Sequence, residues 1–210
     1  APEDVAVILY TSGTTGRPKA APLTHGQIRA AVHALDVAWA WTKDDRLFHA
    51  LPLFHVHGLF VAALGALRAG ATVIRRSRFV PVEAARDIQA EGATILMGVP
   101  TFHARLLAEP AIAREALAGL RLVTSGSAPL PATAFHAFRE RFGHEIVERY
   151  GMTEIGIVLS NPLNGPRKPG AVGLPLPGVE ARVVRERSGE AAAAREVGEL
   201  WIRGPSVFSG

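Results

Sequence analysis

The 210-residue chain is 48% hydrophobic with a mean hydropathy of +0.18, enough apolar material for one large domain or two small ones and too much for a disordered chain. It has no cysteine, which excludes disulfides, fits a reducing compartment and sets the expectation of a cytoplasmic location. The net charge of +4 is spread along the chain, with Arg75, Arg76 and Arg78 its one tight basic cluster, so a nucleic-acid partner, which needs a concentrated basic stripe, is not expected.

In chain order, Val5–Tyr10 (VAVILY) is a near-continuous apolar run, the pattern of a strand buried on both faces of a parallel sheet. A turn of small residues, Thr11–Gly16, follows it. Thr24 and Gln27 are spaced as a capping box, and the helix they open carries Ile28, Ala31, Val32 and Leu35 on one face. The 21 residues between Arg46 and Arg68 hold no Asp, Glu, Lys or Arg and match a bilayer span in length. His49, Pro52, His55, His57 and Gly58 interrupt that run. No membrane span is therefore expected there, but a buried strand at Leu47–Leu51, a polar loop and a buried helix at Leu59–Arg68. Ala1-Pro-Glu-Asp4 opens with acid, so no signal peptide is expected, and the lack of an initiator Met points to a fragment or a processed chain.

Further on, strands at Ala71–Ile74, Thr94–Val99, Leu120–Ser125 and Glu145–Glu148 alternate with helices at Val82–Gln89, Thr101–Ala108 and Ala132–Phe142. This alternation predicts an α/β fold, a doubly wound and mostly parallel sheet over residues 1–160. After Ser160 the chain turns rich in Pro and Gly, and strands at Glu180–Val184 and Gly198–Ile202 flank a charged, alanine-rich stretch. Residues 161–210 are thus predicted to begin a smaller β-rich subdomain containing an antiparallel hairpin.

Two segments carry chemistry. Tyr10-Thr-Ser-Gly-Thr-Thr-Gly-Arg-Pro-Lys19 has the make-up of a phosphate cradle behind a strand: glycines let backbone amides turn inward, hydroxyls donate, and the lysine supplies charge. Its close glycines and Pro18-Lys19 differ from a Walker A loop, and a plain flexible connection has the same composition. Arg149-Tyr-Gly-Met-Thr-Glu154 leaves the end of the strand Glu145–Glu148, where open α/β sheets bind ligands. Glu154 offers the hard oxygens that Mg²⁺ prefers, unless it is merely solvated.

Thr11–Lys19, Tyr150–Glu154 and Gly198-Glu-Leu-Trp-Ile-Arg-Gly204 together resemble, in order and spacing, three motifs of the adenylate-forming superfamily of acyl-CoA synthetases, adenylation domains and luciferases. The resemblance implies that superfamily's N-terminal domain and a ligase using ATP, Mg²⁺ and coenzyme A. In that reaction a carboxylate attacks the ATP α-phosphate, pyrophosphate leaves, and a thiol takes the acyl group. Thr11, Ser12, Gly13, Thr14, Thr15, Gly16 and Lys19 would then hold the β- and γ-phosphates, while Gly126, Ser127 and Ala128 line the adenine and acyl pocket. Tyr150, Gly151 and Met152 would lie on the adenine side, Thr153 would touch the α-phosphate, and Glu154 would hold Mg²⁺. Lys19, His55, Thr153 and Glu154 are the implied catalytic set. Ala20 departs from the family, which usually has glycine after the lysine.

Leu51-Pro-Leu-Phe-His-Val-His-Gly58 resembles the family segment whose histidine, here His55, gates the acyl pocket, with His57 farther in and Ser125 also on the substrate side. Two alternatives stand beside this. Alternating histidines on a strand could bind a metal, although no carboxylate or cysteine lies nearby to complete the site, and either could be a hydrogen-bonded core residue. Arg149 decides the substrate. A cation against the active-site motif needs an anion, and its fork suits the distal carboxylate of a diacid. Arg149 with Phe-His-Val-His-Gly and Ser-Gly-Ser-Ala resembles malonyl-CoA synthetases, which implies malonate or methylmalonate. Pairing with Glu145, Glu148 or another acid would instead make the arginine structural, and Arg78 is a second candidate for the same anion. Other readings are a synthetase for medium-chain or aromatic monocarboxylates and a non-catalytic ATP-binding module. The resemblance also implies a fragment, inactive without the enzyme's missing N- and C-terminal parts.

Overall fold

The computed structural model describes residues 1–11 and 18–209. Strands β1 (Val5–Thr11) and β2 (Lys19–Thr24) form an antiparallel hairpin that leads into helix α1 (His25–Trp39). Strand β3 (Arg46–His49) is followed by a π-helix (His57–Leu64) that runs into α2 (Gly65–Ala69). Then come β4 (Thr72–Arg75), α3 (Pro81–Ala90), β5 (Ile95–Gly98), α4 (Pro100–Ala108), β6 (Leu122–Ser125) and α5 (Ala132–Phe142). Strands β7 (Val147–Met152), β8 (Gly156–Ser160) and β9 (Leu174–Pro175) complete the central sheet, and β10 (Glu180–Val184) and β11 (Glu199–Arg203) form a second hairpin.

The central sheet runs β4-β3-β5-β6-β7-β8-β9, parallel from β4 to β7 and antiparallel beyond. Neighbouring residues on its parallel strands point to opposite faces, and both faces are covered. Phe48, Leu96 and Val123 face the cluster containing Ile88, Leu106, Phe135, Phe138 and Phe142. Leu47, Ile95, Leu122 and Val147 face the other, containing Leu35, Trp39, Phe60 and Val61. Each of these buried side chains contributes roughly 1.5–3 kcal/mol. Local signals agree with the packing: the Thr24–Gln27 capping box forms, at 2.9 and 3.2 Å, and prolines open α3 and α4 at positions where a missing N–H does no harm.

At the N-terminal end of the parallel strands, buried Asp45 gathers Arg121 Nε and Nη2 (2.7 and 2.6 Å), the Thr42 amide (2.8 Å) and the Thr94 hydroxyl (2.8 Å). Arg121 also donates to the carbonyls of Trp39 and Ala40, each at 3.0 Å. Burial alone would raise the Asp45 pKa, but the Arg121, Thr42 and Thr94 hydrogen bonds outweigh it and hold the carboxyl below its ordinary value.

The α/β architecture and mostly parallel sheet match the sequence-based expectation, while several elements differ in detail. The VAVILY run is not a strand of the parallel sheet: β1 pairs with β2 alone, and Val5, Ile8 and Tyr10 are exposed. An apolar run fixes extended backbone but not the partner that covers it. The strand expected to stop at Glu148 continues to Met152, because it changes neighbours. Val147 and Glu148 pair parallel with Thr124 and Ser125, and Arg149–Met152 then pair antiparallel with β8, a strand absent from the sequence reading. The helix expected from Leu59 begins at His57 and starts as a π-helix. The pairing of β10 with β11 gives the anticipated hairpin, and no described helix is long and apolar enough to cross a membrane.

Candidate functional site

The C-terminal ends of the parallel strands open onto a cavity of about 730 Å³, where α/β sheets place their ligands. Thr11 reaches it from β1, Ser127 from the turn after β6, and Arg149 and Gly151 from β7. Thr153 and Glu154 reach it from the turn before β8, and His55 and His57 from the segment after β3. Leu51, Val56, Val99, Phe102 and Ile157 supply an apolar wall.

Leu51 and Val56 lie in the segment already marked in the sequence as pocket-forming, whereas Val99, Phe102 and Ile157 were missed. Val99 and Phe102 follow the end of β5, so the rule that ligands sit beyond strand ends could have found them. Ile157 lies on β8, and no local signal marked it.

Arg149 dominates the electrostatics. It is 4% exposed, and its Nε and Nη2 find no acceptor among the described residues. The two acids proposed as structural partners are engaged elsewhere. Glu145 pairs with Arg139 at 3.1 Å, and Glu148 accepts from the Gly170 amide at 2.9 Å. Burial depresses the Arg149 pKa to about 10, so the group remains a cation at neutral pH. Arg78 is exposed and does not line the cavity.

The two histidines of the His-Val-His segment part company. Pro52 to His55 form a turn that leaves His55 exposed, whereas His57 opens the π-helix and is buried. Gly58 makes this possible, since a Cβ there would overlap the Pro52 carbonyl oxygen. The strand that would have pointed both rings the same way is not formed, and no group of three or more metal-ligating side chains occurs among the described residues. Burial, then the positive charge of Arg149, holds the His57 pKa well below its ordinary value, so its ring is neutral. Its Nδ1 lies 3.3 Å from Ser127 Oγ, and Ser127 itself adopts φ +67°, a left-handed conformation uncommon for serine.

Behind the cavity, His103 Nε2 donates to the Thr124 carbonyl (3.1 Å), and burial lowers its pKa to about 4. His49 accepts the Leu51 amide at Nδ1 (3.3 Å) and is likewise lowered to about 4 by burial.

Of the other expected site residues, Ser12, Gly13, Thr14, Thr15 and Gly16 lie outside the described residues. Thr11 and Lys19 face each other as the last cross-strand pair of the β1–β2 hairpin, next to the segment that connects the strands. Lys19, Ser125, Gly126, Ala128 and Tyr150 are not in the cavity lining; Lys19 pairs with the lining residue Thr11, and the others lie within two residues of Ser127 or Arg149 in the chain. Ala20 is exposed on β2 opposite Tyr10, so a methyl in place of hydrogen there is accommodated at the surface.

A mostly parallel sheet with a cavity at its strand ends, lined by Glu154 and by an arginine without an acid partner among the described residues, is the architecture of an α/β ligand-binding domain. The chain belongs to the AMP-binding enzyme family, which residues 1–210 match throughout. It is 40% identical to the mitochondrial malonate–CoA ligase ACSF3 of Mus musculus, across 97% of this chain and 40% of the relative. ATP-bound MatB from Rhodopseudomonas palustris superposes with a TM-score of 0.95 at 46% identity, covering 100% of this chain and 41% of MatB. A malonyl-CoA ligase holding methylmalonyl-CoA and AMP as a ternary product complex gives a TM-score of 0.91 at 43% identity, over 100% of this chain and 45% of that one. The chain thus spans about 40% of the length of the relatives it matches.

Proposed function

We propose that the full-length protein carrying this chain is an acid–thiol ligase. It adenylates a small dicarboxylic acid, malonate or methylmalonate, with ATP and passes the acyl group to coenzyme A. The observation that carries the reading is Arg149: buried, cationic, without an acid partner among the described residues, and in the wall of a cavity shared with Thr153 and Glu154. A guanidinium held dry and unpaired is costly unless an anion completes it, and a second carboxylate on the acyl substrate is such an anion. The similarity to a malonate–CoA ligase and to a malonyl-CoA ligase holding methylmalonyl-CoA and AMP supports the same substrate class, and the similarity to ATP-bound MatB supports the use of ATP.

The chemistry brings a carboxylate onto an already anionic phosphate, so charge must be offset and the groups aligned. In this reading Arg149 anchors the distal carboxylate and leaves the near one toward Thr153. Thr11 and Lys19 at the hairpin mouth, with Ser12, Gly13, Thr14, Thr15 and Gly16 between them, hold the β- and γ-phosphates. Neutral His57 can hydrogen-bond the acid without adding a second positive charge beside Arg149. Glu154, with the Thr153 hydroxyl next to it, offers the all-oxygen donors suited to Mg²⁺, whose charge would offset the phosphates. Gly126, Ala128 and Tyr150 border the adenine side.

Pyrophosphate release by the full-length protein with a panel of acids tests this. Malonate or methylmalonate is expected to surpass butyrate. Arg149→Ala is expected to collapse the malonate-to-butyrate ratio of kcat/KM, a loss on the order of 2–5 kcal/mol for malonate. Equal losses for both acids would return Arg149 to a structural role. No activity with any acid would favour a non-catalytic nucleotide-binding module.

A further inference from the structure

Gly126 lies directly beneath the Arg149 guanidinium. A Cβ built on it would fall 2.6 Å from Arg149 Nη1 and closer still to Cζ and Nε, and those three atoms are its nearest neighbours. Non-bonded heavy atoms pack best at about 3.5–4.0 Å, so any side chain at this position and the guanidinium cannot share the space. Gly126 is not among the positive-φ glycines, and its backbone would therefore accept alanine. What the glycine provides here is room, not conformational freedom.

The floor is also fixed more firmly than the arginine above it. Ser125, one residue back, closes β6 and is in register with Gly98 on one side and Glu148 on the other. Ser127, one residue on, is held in its left-handed conformation with Oγ 3.3 Å from His57 Nδ1. No hydrogen bond anchors Arg149 Nε or Nη2 among the described residues, so the guanidinium is oriented by packing. A methyl added between a pinned backbone and an unanchored side-chain tip displaces the tip.

We propose that Gly126 is a positioning residue for acid selection: its bare α-carbon is the seat that lets the Arg149 guanidinium lie in the cavity wall, ready for the distal carboxylate of a diacid. This rests on the diacid reading above and extends it from the arginine to the residue that places it. With a side chain at 126 the cation is expelled and a diacid loses its anchor, whereas a monocarboxylate has no such anchor to lose.

The test is a double-mutant cycle in the full-length protein: wild type, Gly126→Ala, Arg149→Ala and the pair, each assayed for kcat/KM with malonate and with butyrate and each melted thermally. Gly126→Ala is expected to lower the malonate-to-butyrate ratio about tenfold or more, chiefly through the KM for malonate, and to change the ratio less than about twofold once Arg149 is already alanine. A ratio that falls in Arg149→Ala but not in Gly126→Ala overturns the inference alone. So does a ratio that falls by the same further factor in both backgrounds. A ratio unmoved by Arg149→Ala overturns the diacid reading and this inference with it. If Gly126→Ala does not fold, the double variant decides: a folded double variant identifies the guanidinium as the obstacle, and an unfolded one shows that the methyl meets the backbone and refutes the proposal.

Discussion

Arg121 and Arg149 stand at opposite ends of the parallel strands and are partnered in opposite ways, Arg121 part-exposed over the buried Asp45 and Arg149 itself buried. Arg121 spends its donors on both Asp45 oxygens and two backbone carbonyls, and is a staple that ties α1, β3 and β6 together. Arg149 is more deeply buried and has no such partners among the described residues. Its pKa of about 10 corresponds to a penalty on the order of 3 kcal/mol for keeping the charge out of water. His103 gives a third solution, since it is fully buried and simply stays neutral. A fold keeps a bare internal cation when something outside the chain completes it. The contrast therefore separates an end of the sheet where the chain completes its own charges from an end where, on the proposed reading, a ligand would do so.

The largest expected effect lies at the staple. Asp45→Ala leaves Arg121 without its carboxylate and the Thr42 and Thr94 donors without an acceptor, at a cost of about 3 kcal/mol. A markedly lower melting temperature with an unchanged malonate-to-butyrate ratio is expected. A changed ratio at an unchanged melting temperature would reverse the roles assigned to the two ends.

Acid should act through His103 on the order of 2–3 kcal/mol. An unfolded histidine takes up its proton near pH 6.5, and folded His103 near 4. Between those values the unfolded chain holds the extra proton, so stability is fully present above pH 6.5 and falls as the pH drops toward 4. Denaturant melts across that window should show this slope. His49 and His57 act in the same direction, so His103→Gln, which can still donate to the Thr124 carbonyl, should reduce the slope by one proton's share, and a slope indifferent to the substitution would assign it to the other histidines.

A smaller effect of opposite sign is expected at Arg149. Methionine has a similar reach and no charge, so Arg149→Met should raise the melting temperature of the ligand-free protein by the equivalent of about 1–2 kcal/mol while abolishing the rise produced by added malonate. Destabilisation by this substitution would mean that the guanidinium has partners the contrast denies it.

Much of this was legible in the sequence, and the rest was hidden for identifiable reasons. Helix α5 and strand β10 keep their expected bounds: Phe135, Phe138 and Phe142 recur at helical spacing, and β10 ends on the β-branched Val183 and Val184. The chemistry-bearing residues around Arg149 stand out because a cation, a carboxylate and two histidines in otherwise apolar surroundings need a reason. Hidden were the features set by partners distant in the chain. The exposure of β1 depends on what does or does not cover it, and the extension of β7 depends on β8. The separation of His55 from His57 depends on a π-helix that no periodicity announces. Arg149 had Glu145 and Glu148 nearby in sequence, and only the register of β7 shows that neither is its partner.

The smallest expected effect concerns an arginine whose acids, unlike the buried Asp45, stand in water. Arg185 donates to Glu196 at 2.8 Å and Glu190 at 3.2 Å, and its hydrogen bond to Glu196 raises its pKa. Those pairs stand in water on the connection between β10 and β11, where solvent screens the attraction and holding three long side chains in one arrangement costs entropy. Arg185→Ala should leave the melting temperature of the full-length protein unchanged, at both low and high salt. An arginine paired with exposed acids would then add nothing measurable, whereas the part-exposed Arg121 owes its effect to the buried carboxylate of Asp45 that it completes. A clear drop in melting temperature for Arg185→Ala would show that the burial of Asp45 is not what distinguishes the Arg121 pair.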